Sequence, residues 1–337
     1  MQICMSNRPS KIAIEIDLAA EGKQTGYLRL PHSVHRSAYG FLAMPIVSIR
    51  NGSGPRVLLS SGNHGDEYEG QVVLTKLARE LGPESIRGQV IIVPMLNFPA
   101  AAAGMRTSPI DDGNLNRVFP GDPDGRPTWM IAHFIESVLM PQVDYSMDLH
   151  SGGSSLTYIP GTLARRSDDK QALEKVLDLV RAFGAPHCYL MPIGREAGSI
   201  LAAADRAGIV GVSAELGGGG MVTRETLAIT ERGVRNVLRH LGVLPGKVEA
   251  HPTRIMQVDR AAHYVYAYDA GLFEPQVELG DTVKKGELAG RVVFPDAPWR
   301  EPVPVRFPGD GVVVCKRVPA RVERGDCLYH LASDARL

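Results

Sequence analysis

Ser60-Ser61-Gly62-Asn63-His64-Gly65-Asp66-Glu67-Tyr68-Glu69-Gly70 is the stretch on which the reading of this chain turns. The apolar run Val57-Leu58-Leu59 leads into it and reads as a buried strand. A helical pattern over 71–81 leads out of it. The stretch therefore belongs on a loop at the carboxyl end of a strand, where open α/β sheets place their sites. Within it, His64 and Glu67 stand three positions apart, a spacing that lets both side chains face one point in a tight turn or a helix start. An imidazole nitrogen and a carboxylate oxygen make two thirds of a His2Glu zinc site. The competing reading is a polar loop whose Asp66 and Glu67 favour the positive end of the helix dipole.

Working outward, the pattern alternates. Strands are expected at 57–60, 89–95, 143–149, 187–191 and 209–214, and helices at 71–81, 128–139, 170–183, 199–207 and 223–241. That order predicts an α/β fold, a mostly parallel sheet flanked by helices. Upstream, 11–18, 26–30 and 41–50 read as strands of an antiparallel lead-in. Beyond Val248 the helical pattern stops, and short alternating runs separated by glycines predict a smaller C-terminal all-β domain. The expected division is 1–248 for the main domain and 249–337 for the β-rich one.

Composition narrows the function classes. The chain has 337 residues, enough for two domains, and 44% of them are apolar, enough for a sizeable core. Lysine plus arginine and aspartate plus glutamate both number 37, and aromatics make up only 6%, so nothing points to nucleic acid. No apolar run is long enough to span a bilayer, and Met1 to Ser10 lack a secretory signal's apolar segment. Cys4, Cys188, Cys315 and Cys327 form no CxxC pair, as expected of free thiols in a reducing cytoplasm. The expectation is a cytoplasmic protein acting on a small molecule, without a nucleic-acid or membrane partner. A homo-oligomer is left open.

Three further stretches carry chemistry. Asp148-Leu149-His150-Ser151-Gly152-Gly153 closes another expected strand, so His150 is the candidate third ligand beside His64 and Glu67, and Asp148 can hold its imidazole. A core histidine is the alternative. Glu215 ends the next strand ahead of Gly217 to Gly220, where a carboxylate has room beside a substrate and can serve as general base and acid. A capping or ion-paired glutamate is the alternative. The glycine run lacks P-loop spacing. Asn114-Leu115-Asn116-Arg117 sets a guanidinium among amides, a combination suited to a carboxylate, and Arg106 upstream can polarise a carbonyl. Solvated loop arginines are the alternative. No Gly-x-Ser-x-Gly elbow is present.

In this order the four motifs, Gly62 to Glu67, Asn114 to Arg117, Asp148 to Gly153 and Glu215 to Gly218, resemble the succinylglutamate desuccinylase/aspartoacylase family, a branch of the zinc carboxypeptidase fold. The resemblance covers nearly the whole chain. It implies one zinc ion per chain on His64, Glu67 and His150, with Glu215 as general base and acid. It also implies Arg106 on the scissile carbonyl, Asn116 and Arg117 on a substrate carboxylate, and a substrate contact from Tyr158. The activity implied is a zinc-dependent amidohydrolase that removes an acyl group from an N-acyl amino acid. Finer details, among them Arg106 to Asp111, Glu215 to Gly220, Arg232-Gly233-Val234 with Asn236, and Gly271 to Pro275, resemble members that deacetylate an Nα-acetylated diamino acid. The stretch 279–288 resembles a biotinyl/lipoyl-like β module, but Lys284 and Lys285 precede a glycine turn where such modules flank one modified lysine, so no prosthetic group is expected. An exopeptidase on the same scaffold, and a metal- or ligand-binding protein without catalysis, are the rival readings.

Overall fold

The computed structural model describes residues 8–192 and 197–336, the side chain of Arg260 excepted. Cys4 and residues 1–7 of the amino-terminal segment lie outside the described residues. Among them a 15-stranded sheet runs through the molecule. Its middle is parallel, with Gly88–Val93, Arg56–Ser61, Tyr145–His150 and Val210–Glu215 side by side.

These strands are apolar on both faces, so both faces must be covered. Val57 and Leu59 point into one core with Leu74, Leu77, Val180, Phe183, Val234 and Val237. Those residues come from the helices Tyr68–Glu80, Lys170–Phe183 and Arg224–His240. Leu58, between them, points into a second core with Met130, Ile131, Phe134, Ala203 and Ala204, on the helices Pro127–Phe134 and Ile200–Ala207. The period of two in the strand thus sorts alternate side chains to opposite layers. Leu58 and Leu59 are fully buried, and burial of each is worth about 1.5–3 kcal/mol.

The flanks of the sheet are more varied than the alternation predicts. On one side Phe41–Asn51 and Gly22–Pro31 add antiparallel, as the expected lead-in. On the other, Gly161–Arg165 pairs antiparallel with Val210–Glu215, and His187–Met191 and Arg254–Gln257 follow in parallel. The strands Leu156–Tyr158 and Gly161–Arg165 were not expected, being short, split by Pro160 and stabilised by distant partners. The helix expected over 128–139 is α-helical only to Phe134 and continues as a wider π turn, Ile135–Leu139.

Downstream, Val303–Arg306, Leu288–Val293, Gly271–Pro275 and Arg321–Val322 form a separate antiparallel four-stranded sheet. The Cys327–Asp334 and Gly311–Arg317 strands instead extend the large sheet beyond Arg254–Gln257. The turn carrying Lys284 and Lys285 is pinned by Asp310, which takes the Lys284 Nζ at 3.0 Å and the Lys285 backbone N–H at 2.8 Å. Among the described residues no helix is long and apolar enough to cross a membrane.

Candidate active site

Parallel pairing puts the tips of two strands level: Glu215 lies opposite His150 in register. The adjoining strand ends at Ser61, and the loop after it folds back over those tips. That loop needs its glycine. Gly65 donates its N–H to Met105 O, and a Cβ there would meet the Ala100 carbonyl oxygen at 2.0 Å. Asp66 ties the same loop to the next one by accepting the Ser154 N–H and hydroxyl, both at 2.7 Å.

Glu67 occupies the cap position of the Tyr68–Glu80 helix without using its side chain to cap it. Its carboxylate faces two imidazoles instead. His64 Nδ1 lies 2.7 Å from Oε1, and His150 Nδ1 lies 2.7 Å from Oε2. The three residues are buried, and one candidate ligand atom from each falls within 4.8 Å of the others. The far side of each ring is held as well. His64 Nε2 is 3.2 Å from Asn114 Oδ1, and His150 Nε2 is 2.6 Å from Asp148 Oδ2. Asp148 in turn accepts the Ser60 hydroxyl at 2.6 Å and the Asn63 amide at 3.0 Å.

The electrostatics follow from burial and pairing. Burial pushes the His64 imidazole down despite Glu67, so its lone pair is available. Burial pulls His150 the same way, but Asp148 and Glu67 outweigh it and raise its pKa well above the usual histidine value. Burial would raise Glu67 and Asp148, and the imidazoles outweigh it for both, Ser60 and Asn63 adding their hydrogen bonds at Asp148. Glu67 and the two imidazoles, with Asp148 behind His150, form a buried nitrogen–oxygen donor set in which a cation would take the place of the His150 proton. That set suits a borderline divalent cation such as zinc.

His64, Glu67, Arg106, Asn116, Arg117, His150, Tyr158 and Glu215, all singled out in the sequence, line one cavity of about 350 Å³. Arg106 Nη1 stands 3.4 Å from Glu67 Oε1. The Asn116 carbonyl oxygen of the side chain accepts the Ile200 N–H at 2.9 Å, which docks the helix Ile200–Ala207 on this wall. Arg117 Nη1 donates to the Asn116 backbone carbonyl at 2.8 Å. Burial, Cys315 and Glu215 raise the Tyr158 phenol well above its usual range, so it stays protonated and able to donate.

Glu215 opens on the cavity, and the glycine run after it packs closely against a neighbouring backbone. Gly217 O accepts the Gly152 and Tyr158 N–H groups, and Gly219 N–H goes to Leu156 O. Gly218 has φ +131°, and a Cβ there would meet Leu156 O at 2.3 Å. The glycines let two backbones press together and so hold Tyr158 beside Glu215. The sequence reading missed Arg165, Tyr189, Tyr264, Tyr266, Cys327 and His330, which line the same cavity. The alternation Tyr264-Val265-Tyr266 was the signal that two tyrosines share a face.

A family model for the succinylglutamate desuccinylase/aspartoacylase catalytic domain matches residues 53–241. The chain is 44% identical over 328 residues, 96% of each chain, to the N-alpha-acetyl-L-2,4-diaminobutyric acid deacetylase of Halomonas elongata. It is similar to the crystal structure of a succinylglutamate desuccinylase/aspartoacylase from Rhodobacter sphaeroides, with a TM-score of 0.92 and 40% identity over 97% of this chain and 100% of that one. The product-bound ectoine utilization protein EutE (DoeB) of Ruegeria pomeroyi matches with a TM-score of 0.94 and 39% identity, over 97% and 99% of the two chains.

Proposed function

Since this chain belongs to the succinylglutamate desuccinylase/aspartoacylase family, we propose that it is a zinc-dependent amidohydrolase that removes the acetyl group from the α-nitrogen of Nα-acetyl-L-2,4-diaminobutyrate in ectoine degradation. The observation that carries the reading is the meeting of His64, Glu67 and His150 with Glu215, Arg106 and Arg117 on one cavity. A binding protein without catalysis has no need of the last three beside the ligand set.

His64, Glu67 and His150 would hold the ion. When bound there, zinc supplies Lewis acidity, acidifying a water and polarising an acyl carbonyl. Glu215 accepts a proton from the attacking water at its carboxylate and delivers it to the departing amine, so that amide and water become acetate and a free amino acid. The Arg106 guanidinium lies against the negative charge that develops on the acyl oxygen. Asn116 and Arg117 hold the α-carboxylate, and the Tyr158 hydroxyl donates to the substrate. Arg165, a third guanidinium on the wall, pairs with Asp205 through Nη1. Residues 1–248 make up the catalytic unit and residues 249–337 a β-rich unit that walls the cavity, in a cytoplasmic enzyme.

Acetate release from Nα-acetyl-L-2,4-diaminobutyrate, N-acetylaspartate and N-succinylglutamate, with and without a chelator, tests this. Chelator-sensitive turnover of the first alone is expected. Turnover of another compound would keep the chemistry and replace the substrate, and zinc-loaded protein inert on all of them would remove the enzyme reading.

A further inference from the structure

Part of the cavity wall is aromatic, and Tyr264, Tyr266 and His330 bring to it residues from beyond residue 260. Tyr264 and His330 stack at 4.3 Å between centroids with planes 19° apart. Tyr158 meets the same imidazole edge-on at 5.9 Å, and Tyr266 stacks beyond Tyr264 at 6.2 Å. His330 is only 4% exposed, and among the described residues neither of its ring nitrogens has a hydrogen-bond partner. Buried polar atoms in that condition are unfavourable and uncommon, and a ligand group is one of the few things that justifies them. The ring also lines the cavity that holds Glu215.

On the functional reading above, the substrate carries a side-chain ammonium that needs an acceptor. The carboxylates lining the cavity among the described residues are Glu67 and Glu215, and both are engaged in the chemistry. Among the described residues of the lining this leaves a neutral acceptor, in surroundings that suit a cation. We propose that His330, framed by the rings of Tyr264 and Tyr158, is the specificity-determining residue that receives the side-chain ammonium of the substrate. A neutral imidazole offers a lone pair to an N–H donor, and tyrosine faces attract a cation. Burial, with His263 nearby, holds His330 down at about 3, so it stays neutral and accepts. This assignment rests on the deacylase reading and goes beyond it by naming the group that distinguishes a diamino acid from its apolar isostere.

The test compares kcat/KM for Nα-acetyl-2,4-diaminobutyrate and Nα-acetyl-2-aminobutyrate, which lacks the amine, in wild type, His330→Phe and His330→Gln. Phenylalanine keeps the stacked ring and removes both unpartnered nitrogens; glutamine keeps an acceptor. The expected result is a wild-type preference for the amine of about tenfold or more that His330→Phe abolishes through KM and His330→Gln partly restores. Thermal unfolding is measured beside it, and His330→Phe is expected to melt no lower than wild type, because no hydrogen bond is lost. An equal fall for both substrates, or a preference that survives both variants, overturns the assignment. Wild-type turnover of both substrates without preference overturns it too while leaving the deacylase intact. Absence of turnover of any acyl amino acid removes the functional reading and this one with it.

Discussion

The two sides of the cavity are built on opposite terms. On the strand tips the charged and ring groups lean on one another: His64 between Glu67 and Asn114, His150 between Glu67 and Asp148, Asp148 on Ser60 and Asn63. On the aromatic wall, rings pack on rings and, among the described residues, neither His330 nitrogen has a hydrogen-bond partner. Chemistry demands reacting groups fixed before the substrate arrives, and a dense hydrogen-bond network fixes them. Selectivity demands the reverse, a surface whose polar needs are met by the right ligand alone, because a wrong ligand then leaves buried groups unpaired.

Variants can break this contrast from the chemical side inwards. The largest effect is expected at Glu215→Gln, which keeps the shape and removes the proton acceptor. Turnover should fall by about 10²–10⁴-fold with metal content unchanged. Full turnover with metal bound would mean that another group moves the proton. Next comes Asp148→Asn, which keeps the Ser60 contact at Oδ1 and puts an amide at the Oδ2 position that Asn63 and the His150 ring share, weakening the hold on that ring. A loss of about 10–100-fold in zinc affinity is expected, read by competition with a chromogenic chelator. Arg117→Ala should act more gently and on KM more than kcat, raising KM by about tenfold or more, since one charge-assisted contact is worth ~1.5–3 kcal/mol. If kcat fell instead, Arg117 would belong with the reacting groups and the contrast would need redrawing.

The same contrast explains what could be read from the residues. His64 and Glu67 are three positions apart, and His150 and Glu215 each end an apolar strand, so local pattern and one rule about parallel sheets bring them together. The aromatic wall obeys no local rule. Tyr264 meets His330 through antiparallel pairing in the Cys327–Asp334 strand. His330 sits in the run Leu328-Tyr329-His330-Leu331, which reads as core on its own. Tyr158 reaches the wall through a three-residue strand whose partner lies at Gly311–Arg317, a pairing that propensity does not announce. The antiparallel entry of Gly161–Arg165 into an otherwise parallel run was hidden for the same reason, as its register is set by strands at 187–191 and 210–215.

The pairing of Leu156–Tyr158 with Gly311–Arg317 has a consequence for how the protein is made on the ribosome. Residues 64 to 215 supply the proposed metal ligands and Glu215, so this half of the cavity can assemble while the chain is still being synthesised. Until residues 311–334 emerge, however, Arg254–Gln257 and Leu156–Tyr158 are strand edges without their partners. A nascent chain stalled before that point exposes ready templates for pairing with another chain. Interruption late in synthesis should therefore yield aggregates in preference to a soluble enzyme of relaxed specificity.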